Sequence, residues 1–146
     1  MRVYLLHHAA AVGPDVDPQR PLSSDGLAHA AHLAEWARTR GCAPAVIWHS
    51  GKLRARQTAE AIWRACSPFA EFKMVRGLGP DDPPEIAYLA IVNESRDVLV
   101  AGHWPHLPSL LRRFVGDAAT FPQHGLVAIE TADSGVSWKE LWRSER

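Results

Sequence analysis

The amino-terminal stretch Met1-Arg-Val-Tyr-Leu-Leu-His-His-Ala-Ala10 decides how the rest of the chain is interpreted. Val3 to Leu6 is a short apolar run, which predicts a buried first strand. His7 and His8 follow directly, and polar side chains are costly to bury unless they have partners. Because ligands of open α/β sheets bind at the carboxyl ends of strands, the pair predicts a functional site there. The alternative is a pair of strand-end histidines bound to nearby backbone.

Composition excludes several other classes of protein. The 146 residues suit one domain spanning 1–146, and the hydrophobic fraction of 47% is typical of a globular chain. The 16 basic and 16 acidic residues balance, which argues against nucleic acid or an anionic membrane as a partner. Cys42 and Cys66 lack C-x-x-C spacing and suggest no disulfide framework, so we expect a cytoplasmic protein. No signal peptide and no apolar run of ~18 residues is present, so no membrane span is expected.

Strand and helix patterns alternate along the chain. The first helical pattern runs from a cap at Ser23 or Ser24 to about Arg40, and the second begins at about Lys52 with Ser50 as its cap. A third covers Pro84 to Val92, and a fourth follows the apolar stripe of 107–115. Strand patterns cover 3–6, 45–48, 72–75, 97–101, 126–130 and 136–142, the last two joined by a hairpin turn at 132–135. This alternation predicts a three-layer α/β/α sandwich whose mainly parallel sheet has an antiparallel edge.

Three of the predicted strands end in polar groups. The first ends in His7-His8, the second leads through Ser50 to Arg54, and the fourth ends in Gly102-His103. Since the carboxyl ends of parallel strands meet at one edge, these groups are expected to share a pocket. An arginine with several histidines makes a cationic site that favours a phosphoryl group.

Four motifs in order give a family resemblance. They are Leu5-Leu-His-His-Ala-Ala10, Arg20-Pro-Leu-Ser-Ser-Asp-Gly26, Ser50-Gly-Lys-Leu-Arg-Ala-Arg-Gln-Thr58 and Gly102-His-Trp-Pro105. With them the chain resembles the histidine phosphatase superfamily, whose fold is phosphoglycerate-mutase-like. Its small size makes it most similar to the short SixA-type phosphohistidine phosphatases.

The resemblance implies a mechanism and its residues. His8 matches the nucleophile that forms a phosphohistidine intermediate, while Arg54 and His103 act as the other catalytic groups. The substrate would be a phosphohistidine protein or a small phosphomonoester, and neither a metal nor a cofactor is expected. The expected substrate-binding residues are His7, Arg20 and Ser50.

His7 is where the chain departs from the family, which has a phosphate-clamping arginine before the nucleophile. A histidine carries a positive charge only when it is protonated, so we expect weaker and more pH-dependent phosphate binding. Loss of one charge-assisted contact of ~1.5–3 kcal/mol would weaken binding roughly 10- to 100-fold. An alternative function is therefore a degenerate module that binds a phospho-ligand. A shift of register would make His7 the nucleophile, but the match at Ala9 favours His8.

Other polar residues have weaker interpretations. Asp81 or Asp82 could act as a general acid, although the SixA-type proteins do without a fixed one. Trp104 could line the pocket entrance, and His106 is expected to be a supporting or structural residue. A Ser-His-Asp esterase is disfavoured because no G-x-S-x-G elbow is present. The histidines expected to lie outside the site are His29, His32, His49 and His124.

Overall fold

Six strands form one mixed sheet in the computed structural model, which describes residues 1–144. The strands are β1 Arg2–His7, β2 Val46–His49, β3 Glu71–Met74, β4 Val98–Gly102, β5 Leu126–Glu130 and β6 Lys139–Arg143. The helices are α1 Ser24–Thr39, α2 Leu53–Cys66, α3 Pro84–Val92 and α4 His106–Val115. The order β3-β2-β4-β1-β5-β6 has parallel pairing from β3 to β1, whereas β5 and β6 pair antiparallel at one edge.

The alternation of side chains along β1 divides the core between the two faces of the sheet. Val3 and Leu5 belong to the cluster under α3 and α4, whereas Tyr4 and Leu6 belong to the cluster under α1 and α2. Successive side chains of a strand point to opposite faces, so both clusters are filled from the same short segment. Helices therefore cover both faces, which confirms the predicted three-layer α/β/α sandwich.

The ends of α1 agree with the predicted signals. Ser23 is the N-cap, and its Oγ accepts a hydrogen bond of 3.0 Å from the Gly26 N–H. The helix ends at Thr39 with Arg40 at the C-cap, and Gly41 follows with a φ of +78°. A positive φ suits glycine because it has no Cβ, which explains the stop.

The predicted cap of α2 is wrong. Lys52 occupies the N-cap position and no side chain caps the helix, which begins at Leu53. Ser50 lies too far from the first turn, and its hydroxyl has a different partner, His103. The residue chosen as a cap is thus part of the candidate site.

The carboxyl-terminal hairpin is present, but its second strand begins later than predicted. The turn at 132–135 lies in a longer connection, and β6 begins at Lys139 rather than at Val136. The Asp133 carboxylate accepts a hydrogen bond of 2.9 Å from the Ser137 N–H. This side-chain bond takes a donor that a strand ladder would use, so pairing is delayed.

Two further expectations concerned the cysteines and membrane-spanning segments. Cys42 is buried and Cys66 half-buried, and both thiols are free. Among residues 1–144, no helix has the length and apolar character needed to cross a bilayer.

Candidate active site

The candidate site lies where β1, β2 and β4 end, at one edge of the sheet. Because β5 runs antiparallel to β1, its amino end lies at the same edge. The His7 N–H donates to the Gly125 carbonyl at 2.9 Å, and the His8 N–H donates to the Gly102 carbonyl at 3.2 Å. The tip of β1 is therefore held from both sides.

His8 has a defined tautomer. Its Nδ1 lies 2.7 Å from the Ala9 carbonyl oxygen, which can only accept, so Nδ1 carries the proton and Nε2 carries the lone pair. Burial lowers the pKa of His8 to about 4, and the charge of Arg54 contributes to the shift. At neutral pH, Nε2 is consequently an unprotonated nitrogen on a half-buried ring.

His7 is buried and has the opposite tautomer. The backbone N–H of His124 donates to its Nδ1 at 2.7 Å, so the proton of the neutral ring is on Nε2. The ring is stacked between those of His124 and Trp104, with centroids 4.9 Å and 5.5 Å away. Burial, followed by the proximity of His8, lowers the pKa of His7 to about 3. In the ligand-free protein, His7 is therefore neutral across the physiological range, and the expected pH dependence of phosphate binding stays a prediction.

His124 belongs to this cluster, so the expectation that it lies outside the site is wrong. Besides its bond to His7, its Nδ1 donates to the His8 carbonyl at 2.7 Å. Its φ of +54° turns the chain sharply just before β5. The available signal was its position: a residue that precedes an antiparallel strand lies beside the end of the neighbouring parallel strand.

His103 and Ser50 form a bonded pair across the site. The Ser50 Oγ lies 2.6 Å from the His103 Nε2, and the Lys52 N–H donates to the same Oγ at 3.3 Å. The rings of His103 and His8 are 5.1 Å apart between centroids. Burial lowers the pKa of His103 to about 3, with the proximity of His8 and the charge of Arg54 contributing. His103 is thus neutral at pH 7 in the ligand-free protein.

Arg20 and Arg54 make the site cationic. The Arg54 Nε is buried without a hydrogen-bond partner among the described residues, and neither arginine takes part in an ion pair within residues 1–144. The Arg20 Nε donates to the Val12 carbonyl at 3.0 Å, which anchors it beside the site. Burial and then the charge of Arg20 lower the pKa of Arg54. Both positive charges also act on His8.

Two further residues of α2 hold the loops of the site. The Thr58 Oγ1 accepts from the Ala9 N–H at 3.0 Å and donates to the Arg54 carbonyl at 2.8 Å. The Gln57 Oε1 accepts from the Leu22 N–H at 2.7 Å. The side chains of α2 therefore connect the segment after β1 to the loop before α1.

Gly26 explains the end of the Arg20-to-Gly26 motif. A Cβ at this position would lie 2.0 Å from the Ala10 carbonyl oxygen, a distance that no side chain tolerates. The same carbonyl accepts from the Ser23 N–H at 3.0 Å. The start of α1 must therefore approach the segment after His8 backbone to backbone.

Of the two acidic candidates, Asp82 has another partner. The Asp82 Oδ2 accepts from the Gly79 N–H at 2.8 Å, and its charge raises the pKa of His106, which burial lowers. His106 is 2% exposed, and the Gly77 backbone also raises its pKa. The charged side chains that lower the pKa of His8 are Arg54 and Arg20. The role of Asp81 or Asp82 as a general acid remains a prediction that no contact to His8 supports.

Metal-ligating groups are concentrated in the same place. Within residues 1–144, one group of three such side chains has all its ligand atoms within 4.8 Å of one another, namely His7, His8 and His124. His32 is exposed on α1, and His49 accepts a hydrogen bond of 3.1 Å from the Gly51 N–H, outside this group.

Comparison with known proteins agrees with this architecture. The family model of the histidine phosphatase superfamily (branch 1) matches residues 7–78. The solved structure of the protein histidine phosphatase SixA complexed with tungstate is similar, with a TM-score of 0.84 and 24% identity, over 98% of this chain and 96% of that chain. A SixA protein of Agrobacterium tumefaciens, assigned as a phosphohistidine phosphatase, has a TM-score of 0.81 and 26% identity, over 98% of this chain and 96% of that chain. No curated protein matches.

A more distant structure has the same fold. The ecdysone phosphate phosphatase of Bombix mori, in complex with tungstate, has a TM-score of 0.72 and 16% identity, covering 97% of this chain and 92% of that chain. A phosphoglycerate-mutase-like α/β sheet with a histidine at the tip of its first strand defines the class of protein. Over residues 7–78 the chain matches the histidine phosphatase superfamily, and its fold is similar to that of the SixA-type proteins.

Proposed function

We propose that the protein is a phosphatase in which the Nε2 of His8 is the nucleophile. The observation that carries this proposal is the bond from the His8 Nδ1–H to the Ala9 carbonyl. It leaves the lone pair on Nε2, on a ring close to two arginines that lack ion pairs among residues 1–144. A neutral imidazole with a free lone pair is a competent nucleophile towards phosphorus.

The reaction has two steps. In the first, a bond forms between His8 Nε2 and phosphorus while the bond to the leaving group breaks, and the leaving group takes the electron pair. The phosphorylated ring gains positive charge, which the Ala9 carbonyl stabilises through the Nδ1–H. In the second, water attacks phosphorus, the nitrogen–phosphorus bond breaks, and phosphate and a proton are released. Arg54 and Arg20 stabilise the equatorial oxygens in both steps.

His103 and Ser50 complete the oxygen-binding side of the site. In the ligand-free protein, the pKa of His103 lies at about 3, so the ring is neutral. A bound phosphoryl group brings negative charge next to the ring, which raises that pKa and favours a protonated donor. Ser50 fixes the ring through the 2.6 Å bond to Nε2. Catalysis by these groups needs no metal ion.

The leaving group indicates which class of substrate suits this site. The charged neighbours of the His8 ring are cationic, and Asp82 is bound to the Gly79 backbone, so the proposed mechanism has no fixed general acid. A leaving group must then depart without help, as the imidazole of phosphohistidine does once its second nitrogen is protonated. We therefore propose a phosphohistidine-bearing protein as the substrate, with small aryl-type phosphomonoesters as surrogates.

A second candidate is a module that binds a phospho-ligand without turnover. The replacement of the family's arginine by His7 favours it, because the ring at this position carries no charge in the ligand-free protein. The two candidates differ in whether a covalent phosphohistidine forms on His8.

The test is to incubate the protein with a chromogenic aryl phosphate and with a phosphohistidine peptide. We expect turnover and, after a rapid quench, an acid-labile phosphoryl group on His8. His8→Ala should abolish both signals, whereas His32→Ala, which removes an exposed histidine on α1, should retain them. Equal turnover by His8→Ala and the unchanged protein would refute the nucleophile. Binding of phosphate without turnover would support the binding module instead.

A further inference from the structure

We propose that His7, His8 and His124 form an inhibitory binding site for a divalent transition-metal ion that prefers imidazole ligands, such as Zn²⁺. The ligand atoms of the three side chains lie within 4.8 Å of one another. Zinc binds histidine nitrogen at about 2.0–2.1 Å, so two nitrogens on one tetrahedral ion are about 3.4 Å apart. Binding one ion requires the rings to rotate until these nitrogens converge, so the stack of His7 on His124, with an interplanar angle of 9°, must open.

Two of the three ligands already have the orientation that zinc sites use. The Nδ1–H of His8 donates to the Ala9 carbonyl, and the Nδ1–H of His124 donates to the His8 carbonyl, each at 2.7 Å. Histidines that bind metals usually donate their other N–H to a carbonyl or carboxylate, which fixes the ring and makes the free nitrogen more basic. The Nε2 atoms of both rings therefore carry lone pairs.

The third ligand must give up a hydrogen bond. The Nδ1 of His7 accepts from the His124 N–H, and its proton is on Nε2. Binding through Nε2 requires the proton to move to Nδ1, and binding through Nδ1 displaces the N–H, so either route breaks this bond. The positive charges of Arg20 and Arg54 near His8 also oppose a cation. We expect an affinity well below that of structural zinc sites, as suits reversible inhibition.

The site depends on what distinguishes this chain from the family pattern. An arginine before the nucleophile cannot bind a metal, whereas His7 can, and the turn before β5 supplies His124 next to it. A metal ion on the His8 Nε2 would occupy the lone pair that attacks phosphorus. The inhibition therefore rests on the proposed phosphatase function, but the binding of the ion does not.

Binding is tested without any substrate. Calorimetric titration with Zn²⁺ should show one ion per chain, and the Co²⁺ complex should show the intense visible absorption of a four-coordinate ion. His7→Gln and His124→Asn should each weaken Zn²⁺ binding at least about 10-fold, because removing a ligand costs no less than removing a supporting contact. Asparagine suits the positive φ of position 124. His49→Asn, outside the cluster, should bind like the unchanged protein, and thermal melts should establish that each variant is folded.

The outcomes separate this proposal from the preceding one. If Zn²⁺ does not bind, or binds equally to the folded His7→Gln and His124→Asn variants, the site is refuted. If Zn²⁺ binds as expected and the protein has no phosphatase activity, the site stands and the proposed function fails. In an active protein, Zn²⁺ should inhibit hydrolysis of an aryl phosphate and EDTA should restore it. Activation by the metal would overturn the inhibitory role.

Discussion

The backbone N–H of His124 donates a hydrogen bond of 2.7 Å to the Nδ1 of His7, and this bond determines the chemistry of the strand tip. Burial keeps the ligand-free His7 ring neutral, and this bond fixes its proton on Nε2, so the side chain can donate one hydrogen bond but contributes no charge. His124 also binds the His8 carbonyl, so a single residue fixes both neighbours. Position 7 is thus a neutral donor in a site whose charge comes from arginines.

Substitution of His7 tests this neutral role. Glutamine can accept from the His124 N–H and donate from its amide, so His7→Gln should bind vanadate nearly as tightly as the unchanged protein. His7→Ala should bind it about 2- to 10-fold more weakly, in line with one neutral hydrogen bond of about 0.5–1.5 kcal/mol. Inhibition constants for vanadate measure both effects. Equal losses for glutamine and alanine would contradict the tautomer.

Restoration of the family's arginine should have the opposite effect. His7→Arg introduces a charged donor, which is worth about 1.5–3 kcal/mol, so phosphate should bind roughly 10- to 100-fold more tightly. The measurement is product inhibition by phosphate at constant pH. Because His7 is 4% exposed and stacks on the rings of Trp104 and His124, a thermal melt must establish that the His7→Arg variant is folded. A folded variant with unchanged phosphate affinity would show that position 7 does not contact the phosphoryl group.

Acidification should destabilise the fold through the buried histidines. The pKa values of His7 and His103 are lowered to about 3, whereas an unfolded histidine has a value of about 6.5. Between these values the unfolded chain binds more protons, so the free energy of unfolding falls as the pH falls. From about pH 7 to about pH 4.5 we expect a loss on the order of 2 kcal/mol for each group.

Urea unfolding at several pH values measures this dependence. His103→Gln removes one of the titrating groups, so its stability should fall less steeply with pH. His32→Asn, which removes an exposed histidine, should keep the original slope. A pH-independent stability over this range would mean that the two buried histidines are not held neutral.

Ser50 should matter for catalysis through His103. Ser50→Ala removes the partner of the His103 Nε2, which lies 2.6 Å away. Loss of a hydrogen bond worth about 0.5–1.5 kcal/mol should lower kcat/KM about 2- to 10-fold. Ser109→Ala is the matched control, because Ser109 Oγ donates to the Pro105 carbonyl at 3.2 Å on the outer side of α4. An effect of equal size in both variants would indicate general destabilisation rather than positioning.

Thr58 should contribute more to stability than its size suggests. Thr58→Val keeps the shape but leaves the buried Ala9 N–H without its acceptor, which should cost about 1–3 kcal/mol in the free energy of unfolding. Thr39→Val also removes a hydrogen bond, from Thr39 Oγ1 to the Trp36 carbonyl at 2.6 Å, but on an exposed helix end. Its cost, measured by the same urea denaturation, should stay within about 0.5 kcal/mol. A smaller loss for Thr58→Val than for Thr39→Val would refute the role of Thr58 as a brace.

The sequence predicted the elements whose periodicity is long or whose apolar run is continuous. The predicted bounds of α3, 84–92, and of β5, 126–130, are those of the structure. The beginning of β6 was missed because a local side-chain bond of Asp133 competes with strand pairing, and such a bond leaves no periodic signal.

The predicted site contains the residues that lie at the carboxyl ends of the parallel strands or follow them. His7, His8, His103, Ser50 and Arg54 follow strands whose ends the fold brings to one edge. His124 was missed because it precedes its strand, and only antiparallel pairing of β5 with β1 makes an amino end meet a carboxyl end. The tautomers and the neutral state of His7 depend on backbone donors that are remote in sequence, so periodicity and motif spacing could not reveal them.

The stacking of His7 on His124 couples the choice of residue at these two positions. Exchange of residue 124 alone removes the ring that stacks on His7 but keeps the backbone N–H that donates to its Nδ1, whereas exchange of residue 7 alone leaves His124 beside a side chain of a different shape. Redesign of the phosphate site should therefore vary residues 7 and 124 together in one library of variants. The second of these positions lies beyond the 7–78 segment by which the family is identified from sequence.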